Sequence, residues 1–217
     1  MERNIAVVLS GCGYLDGAEV TEAVSSLVAL SKEGAKYQVF APDIDLKEVN
    51  HQTSEETGQT RNVLLESARI SRGNVENISK LNVDKFDALV LPGGFGAAKN
   101  LSDFASKGYK ASVNESLSKC MKIFFEQSKP IAAFCISPAI VGLVLGNDEI
   151  AVTIGSDLST SKEIEKTGAE HIVCDVTDFV TDREHKIITS PAYMYDAKPH
   201  EVFIGIEKAI RELIEMA

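Results

Sequence analysis

Short apolar runs alternate with amphipathic stretches along most of this chain. Ile5 to Leu9 is a continuous apolar run, as in a strand covered on both faces. Asp16, with Glu19 three residues on, predicts a capped helix that ends at Gly34 and has Val20, Val24, Leu27 and Val28 as its core stripe. Tyr37 to Ala41 predicts a second strand. Pro42 to Gln59 is polar and turn-rich, and predicts an excursion over a functional edge or a flexible loop. Apolar spacing then predicts a short helix over about Arg61 to Ser71, a strand over Asp87 to Leu91, and a helix marked by Val113, Leu117, Met121 and Phe124.

Ile131 to Phe134 is the next apolar run, and Ser137-Pro138 reads as the N-cap and first position of a helix. Ala151 to Ile154, His171 to Cys174 and Lys186 to Thr189 predict later strands, and Pro199 opens a final amphipathic helix. Strands alternating with helices predict an α/β fold, a mostly parallel sheet wrapped on both faces. The chain reads as a single domain over 1–217 with a loop-rich excursion at about 42–84. In such sheets the working crevice lies beyond the carboxyl ends of the strands. Ser10-Gly11-Cys12-Gly13, Pro92-Gly93-Gly94 and Cys135 each follow a strand, so these turns are expected to meet on one edge.

Composition narrows the function. A net charge of −10 over 217 residues, with no basic stripe, argues against a nucleic-acid partner. The apolar stretch from Ile131 to Gly146 is broken by Ser137-Pro138 and is shorter than a membrane span, so no membrane partner is expected. Met1 to Asn4 leads straight into the first strand, which suits a cytoplasmic protein better than a secreted one. Four cysteines without a CxxC pair, and four scattered histidines, offer no zinc spacing and no disulfide framework. No metal and no organic cofactor is expected.

Cys135 sits at a strand-to-helix joint, where a helix N-terminus and unpaired N–H groups favour thiolate and predict a lowered pKa. Position alone leaves it open between a reactive nucleophile and a small hydrophobe closing a strand. Gly93-Gly94 reads either as a tight turn or as an oxyanion site where backbone N–H groups approach a substrate oxygen. Gly11, Gly13 and Gly17 form GxGxxxG, one residue longer than a dinucleotide fingerprint and correspondingly weak. Cys12 shares that turn and is a candidate pocket residue. Glu22 falls opposite the valine stripe, so periodicity makes it a solvated acid.

Leu91-Pro92-Gly93-Gly94, Ala133-Phe134-Cys135-Ile136-Ser137-Pro138 and Gly17-Ala18-Glu19-Val20-Thr21-Glu22 together resemble the ThiJ/PfpI superfamily, within the class I glutamine amidotransferase-like fold. Longer strings, including Phe95-Gly96-Ala97-Ala98-Lys99-Asn100-Leu101 and Thr189-Ser190-Pro191-Ala192-Tyr193-Met194, are similar to its ElbB branch (enhancing lycopene biosynthesis, or sigma cross-reacting protein). The resemblance implies a flavodoxin-like three-layer sandwich and a homodimer. It makes Cys135 the nucleophile and Glu22 the acid beside it, against the periodicity. Gly94 and Ile136, with Gly93, become the oxyanion or substrate-binding positions. It also implies a weak, cofactor-independent glyoxalase activity that turns glyoxal and methylglyoxal into hydroxy acids, with a small dicarbonyl as substrate.

One position departs from the pattern. Where many members carry a histidine, this chain reads Ile154-Gly155-Ser156-Asp157, which leaves Asp157 as a candidate substitute and implies a slow enzyme. The alternative is a non-catalytic redox sensor or stress-associated protein whose Cys135 is oxidised to sulfinate.

Overall fold

The apolar runs lie where both faces of a sheet are covered. The computed structural model describes residues 2–217. From the N-terminus the chain forms β1 (Asn4–Val8), α1 (Val20–Lys32), β2 (Lys36–Ala41), β3 (Asp45–Val49), β4 (Glu56–Asn62), α2 (Val63–Ile70) and β5 (Val75–Asn77). It continues through β6 (Ala88–Leu91), α3 (Phe95–Lys99), α4 (Phe104–Lys107), α5 (Glu115–Glu126), β7 (Ile131–Phe134) and α6 (Pro138–Leu145). The last elements are β8 (Ala151–Val152), α7 (Leu158–Glu165), β9 (Glu170–His171), β10 (Val180–Asp182), β11 (Ile187–Ser190) and α8 (Pro199–Met216).

Seven strands form the main sheet in the order β10-β11-β7-β6-β1-β2-β5. Every neighbouring pair is parallel except β10 with β11. Alternation within each run sets the layers. Ile5, Val7, Val90, Ala132 and Phe134 face a core shared with α1 and α8. Ala6, Val8, Leu89, Leu91, Ile131 and Ala133 face a second core shared with α3, α5 and α6. This is the flavodoxin-like α/β sandwich expected. From β1 the chain moves outward to β2 and β5, then returns to place β6 on the other side of β1. The crevice beyond β1 and β6 is therefore a topological switch point. Among the described residues, no helix is long and apolar enough to cross a membrane.

Several local expectations change. Residues 42–59 are not a loose loop: β3 and β4 pair antiparallel as a separate hairpin. Asp16 does not cap α1. It is buried, and its Oδ2 accepts from the Val49 N–H at 2.8 Å and from Arg61 at 2.5 Å, fastening the hairpin to the turn after β1. Glu19 is the cap, accepting from the Glu22 N–H at 2.7 Å. Ser137 makes no capping bond and instead donates its hydroxyl to the Pro92 carbonyl at 2.8 Å.

The valine stripe of α1 also faces the other way. Val20, Val24 and Val28 are 41%, 43% and 47% exposed, while Glu22, Ala23, Ser26, Ala29 and Leu30 are buried. Small residues on the inner face let α1 lie close to the sheet and α8, and mean hydropathy underweights such a face.

Candidate active site

β1, β6 and β7 are neighbours, so the turns that follow them open onto one edge. Cys135 forms the corner between β7 and α6 with φ of +57°, a left-handed conformation that costs a non-glycine residue about 1–2 kcal/mol. The surroundings hold it there. Its N–H donates to the Ser190 carbonyl at 3.0 Å, and the Ser137 N–H donates to Phe134 at 2.9 Å. Such a corner lifts the thiol clear of the sheet, where the Gly94 and Ile136 N–H groups reach its sulfur.

Glu22 enters from the first turn of α1 and is fully buried. Its Oε2 accepts from the Gly93 N–H at 2.9 Å and its Oε1 from the Tyr193 N–H at 3.2 Å, and it hydrogen-bonds the Cys135 thiol. Tyr193 is delivered by a turn with Ala192 at φ of +46°. Burial, with the Glu19 carboxylate nearby, pushes the Glu22 carboxyl up to about 8. Burial and Glu22 push the Cys135 thiol up as well, against the pull of two N–H groups. The lowered thiol pKa expected from the helix end is thus reversed, because desolvation outweighs the dipole at this buried site. At neutral pH the pair is neutral, and the first proton leaves it jointly near the Glu22 value.

The seven sequence-derived positions separate. Cys135, Glu22, Gly93, Gly94 and Ile136 meet. Gly93, however, spends its N–H on Glu22 and so holds the acid instead of offering itself to a substrate oxygen. A Cβ there would sit 2.7 Å from Glu22 Oε2 and collide with the Cys135 Cβ. Gly93→Ala is expected to lower stability by about 1–3 kcal/mol in urea unfolding and to misplace both groups.

Asp157 lines the cavity over Cys135, but it caps α7: its Oδ1 accepts from the Thr160 N–H at 2.7 Å and from the Ser159 hydroxyl at 2.9 Å, bonds that hold its carboxyl below the usual range. Cys12 does not line that cavity. The Gly11–Gly13 turn leaves it among Glu66, Arg69 and Arg61, where burial raises its thiol. Nor is that turn open to a pyrophosphate. The N–H groups of Gly11, Gly13 and Gly17 donate to the Ser67 hydroxyl and to the Ala18 and Gly13 carbonyls.

The cavity has a volume of about 330 Å³, and Tyr14, Glu19, Phe95, Tyr193 and Met194 add to its lining. Composition gave no sign of Glu19 or the aromatic rim; the Thr189–Met194 string held the only signal for Tyr193 and Met194. No imidazole lines it among the described residues. His51 packs on Tyr14, His171 accepts from the Ile154 N–H, and His185 pairs with Asp182. Among the described residues no cluster of His, Cys, Asp or Glu could hold a metal ion.

Known proteins frame this geometry. The model of the DJ-1/PfpI family matches residues 7–193. A human relative, glutamine amidotransferase-like class 1 domain-containing protein 3, mitochondrial, is 39% identical over 98% of this chain and 82% of its own length. The crystal structure of an isoprenoid biosynthesis protein with amidotransferase-like domain from Ehrlichia chaffeensis is 36% identical. It covers 99% of this chain and 100% of its own, with a TM-score of 0.92. Glyoxalase III from Candida albicans shares the fold alone, at 15% identity and a TM-score of 0.63 over 99% of this chain and 97% of its own.

Proposed function

The chain belongs to the DJ-1/PfpI family, and on that premise we propose that it is a slow, cofactor-independent glyoxalase-type enzyme acting on glyoxal and methylglyoxal. The observation that carries this reading is the buried Cys135–Glu22 pair at the floor of an accessible cavity. With one proton removed, the charge rests mainly on Glu22, and the reactive arrangement, thiolate beside protonated carboxyl, is the less populated one reached when that carboxylate takes the thiol proton.

The thiolate attacks the aldehyde carbon of methylglyoxal, forming a C–S bond, and Glu22 gives its proton to the aldehyde oxygen. The Gly94 and Ile136 N–H groups stabilise the developing oxygen charge. Glu22, now a carboxylate, takes the hydrogen from C1 as a proton and returns it to C2 through an enediol, while the proton on the C1 oxygen passes to the C2 oxygen. C1 is thereby oxidised to a thioester and C2 reduced to a carbinol, with no external oxidant. Water, deprotonated by Glu22, adds to the thioester carbon and the C–S bond breaks, which releases lactic acid (ionising to lactate in solvent) and restores the thiolate and the protonated acid. The test is hydroxy-acid formation from a dicarbonyl panel by purified protein; absence of product across the panel sinks the proposal.

A second reading draws support from the missing imidazole. A redox-sensing Cys135 needs no proton relay between carbons, and the same N–H groups would bind a sulfinate. Selective oxygen addition at Cys135 under mild peroxide, without dicarbonyl turnover, would favour it.

The reading includes a homodimer and a reducing, cytoplasmic setting; the four free cysteines suit a reducing compartment without choosing among them. Val20, Val24 and Val28, beside half-buried Leu27, give α1 an outward apolar face that suits a second copy of the chain. Val24→Glu is expected to convert the dimer to monomer by light scattering. A monomeric wild type removes the dimer from the proposal.

A further inference from the structure

The Cys135 cavity is the middle of a longer groove. It shares Tyr14, Glu19, Tyr193 and Met194 with a space of about 460 Å³ on one side. On the other it shares Phe95, Ile136, Ser159 and Thr160 with one of about 520 Å³. Methylglyoxal, with five heavy atoms, would occupy only the floor around the sulfur.

Two properties of the walls point to what would fill the rest. Tyr14 and Phe95 leave 45% and 47% of their surface exposed at the mouth, an aromatic rim with His51 packed on Tyr14 and the Lys99 ammonium beside Phe95. The charged lining is acidic on balance: Glu19, Asp157, Glu163 and Asp196 against Lys107, with Glu163 paired to Lys166 at 2.5 Å and the Lys99 ammonium 5.3 Å from the Phe95 ring centroid. Lys107 is already paired with Asp103 at 2.5 Å. No arginine or histidine lines any of the three spaces among the described residues. The Gly94 and Ile136 N–H groups point at the sulfur, so they serve the reacting atoms and not the distant end of a substrate.

We propose that this groove selects carbonyl compounds with an extended apolar tail and no negative charge, such as aryl- or long-alkyl-substituted ketoaldehydes, over small or anionic ones. The choice of ketoaldehydes rests on the glyoxalase reading; the preference for tail and charge rests on the walls. An apolar tail would cover the aromatic rim. A carboxylate or phosphate would enter a net-acidic groove whose neighbouring lysines are already engaged, Lys107 with Asp103, Lys166 with Glu163 and Lys99 with the Leu15 carbonyl.

Two measurements separate these layers. The first compares kcat/KM for phenylglyoxal, methylglyoxal and 4-carboxyphenylglyoxal. Phenylglyoxal is expected to exceed each of the others by about tenfold or more. The second is alkylation of Cys135, followed by peptide mass, with N-benzyliodoacetamide, iodoacetamide and iodoacetate. Each rate is divided by the rate on a small free thiol. The expected order is benzyl amide, then amide, then acetate, with the last two about tenfold apart.

All three reagents attack the same thiolate, so its pKa cancels from the ratios. Asp157→Asn combined with Asp196→Asn is expected to narrow the amide-to-acetate gap at least about threefold. Ratios equal to those of the free thiol overturn the proposal, as does methylglyoxal outpacing phenylglyoxal. If no dicarbonyl is turned over, the glyoxalase reading fails, and the alkylation order alone decides what the groove prefers.

Discussion

Cys135→Ala is expected to form no lactate from methylglyoxal above the buffer rate, a loss of about a thousandfold or more, while remaining folded. The C–S bond that holds the substrate through the reaction is made and broken at this sulfur, so no neighbouring group can replace it. Cys135→Ser tests the same point with a hydroxyl, which Glu22 is too weak a base to ionise. The corner's geometry adds a distinctive result. Cys135 occupies φ of +57°, where a Cβ is unfavourable and glycine is not. Cys135→Gly is therefore expected to be as inactive as Cys135→Ala, yet about 1 kcal/mol more stable than it by urea unfolding. An unchanged rate in purified Cys135→Ala would remove the proposed chemistry altogether.

Glu22 carries the second large expectation. Glu22→Gln is expected to lower turnover by about a hundredfold or more, because an amide can neither release a proton to the substrate oxygen nor take one from carbon. In the wild type the pair must lose one proton before the thiolate exists, so the rate should rise with pH and level off above about 8. A pH-independent rate between 6 and 9 would contradict that assignment.

Stability should move in the opposite direction. Glu22 has a carboxyl pKa raised from 4.5 to about 8, so the folded chain holds its proton more tightly than the unfolded chain. The associated stability is fully present below about pH 4.5 and is lost as pH climbs to about 8, at up to about 1.4 kcal/mol per pH unit. Glu22→Gln should flatten that slope, which urea midpoints at pH 5 and pH 8 can check. The same substitution turns an amide N–H toward Gly93 or Tyr193, which donate to the carboxyl now, so a moderate loss at pH 5 is expected too.

The sequence made the central strands legible because burial on both faces leaves a run of apolar residues with no alternation, as at Ile5 to Leu9 and Ile131 to Phe134. It also showed that their following turns would share an edge. The hairpin was hidden for the converse reason: residues 51–60 are all exposed, so β4 carries almost no apolar signal and β3 offers only Leu46 and Val49. β5 and β10, three residues each at the sheet's two edges, are too short to show a period.

Glu22 was misplaced by periodicity because α1 buries alanines and serines and presents its valines outward. Only the Gly-Ala-Glu-x-x-Glu register placed it correctly. Asp16 has the residue type and spacing of a cap, yet Arg61, forty-five positions away, claims it. The direction of the thiol pKa could not be read from local signals either, since desolvation depends on what closes over the sulfur.

The two N–H groups that hold Glu22 come from loops after β6 and β11, 71 and 171 positions along the chain from their acceptor. Loops that long close slowly relative to local helices and turns. The acid is held by both groups only once the two ends of the chain have docked on the same sheet, so the pair is expected to form late in folding. A nascent or partly folded chain would carry Cys135 as an ordinary solvent-exposed thiol. During refolding, the moment when a neutral alkylating reagent stops seeing that ordinary thiol would mark the arrival of the Tyr193 loop, giving the molecule a built-in clock for its own completion.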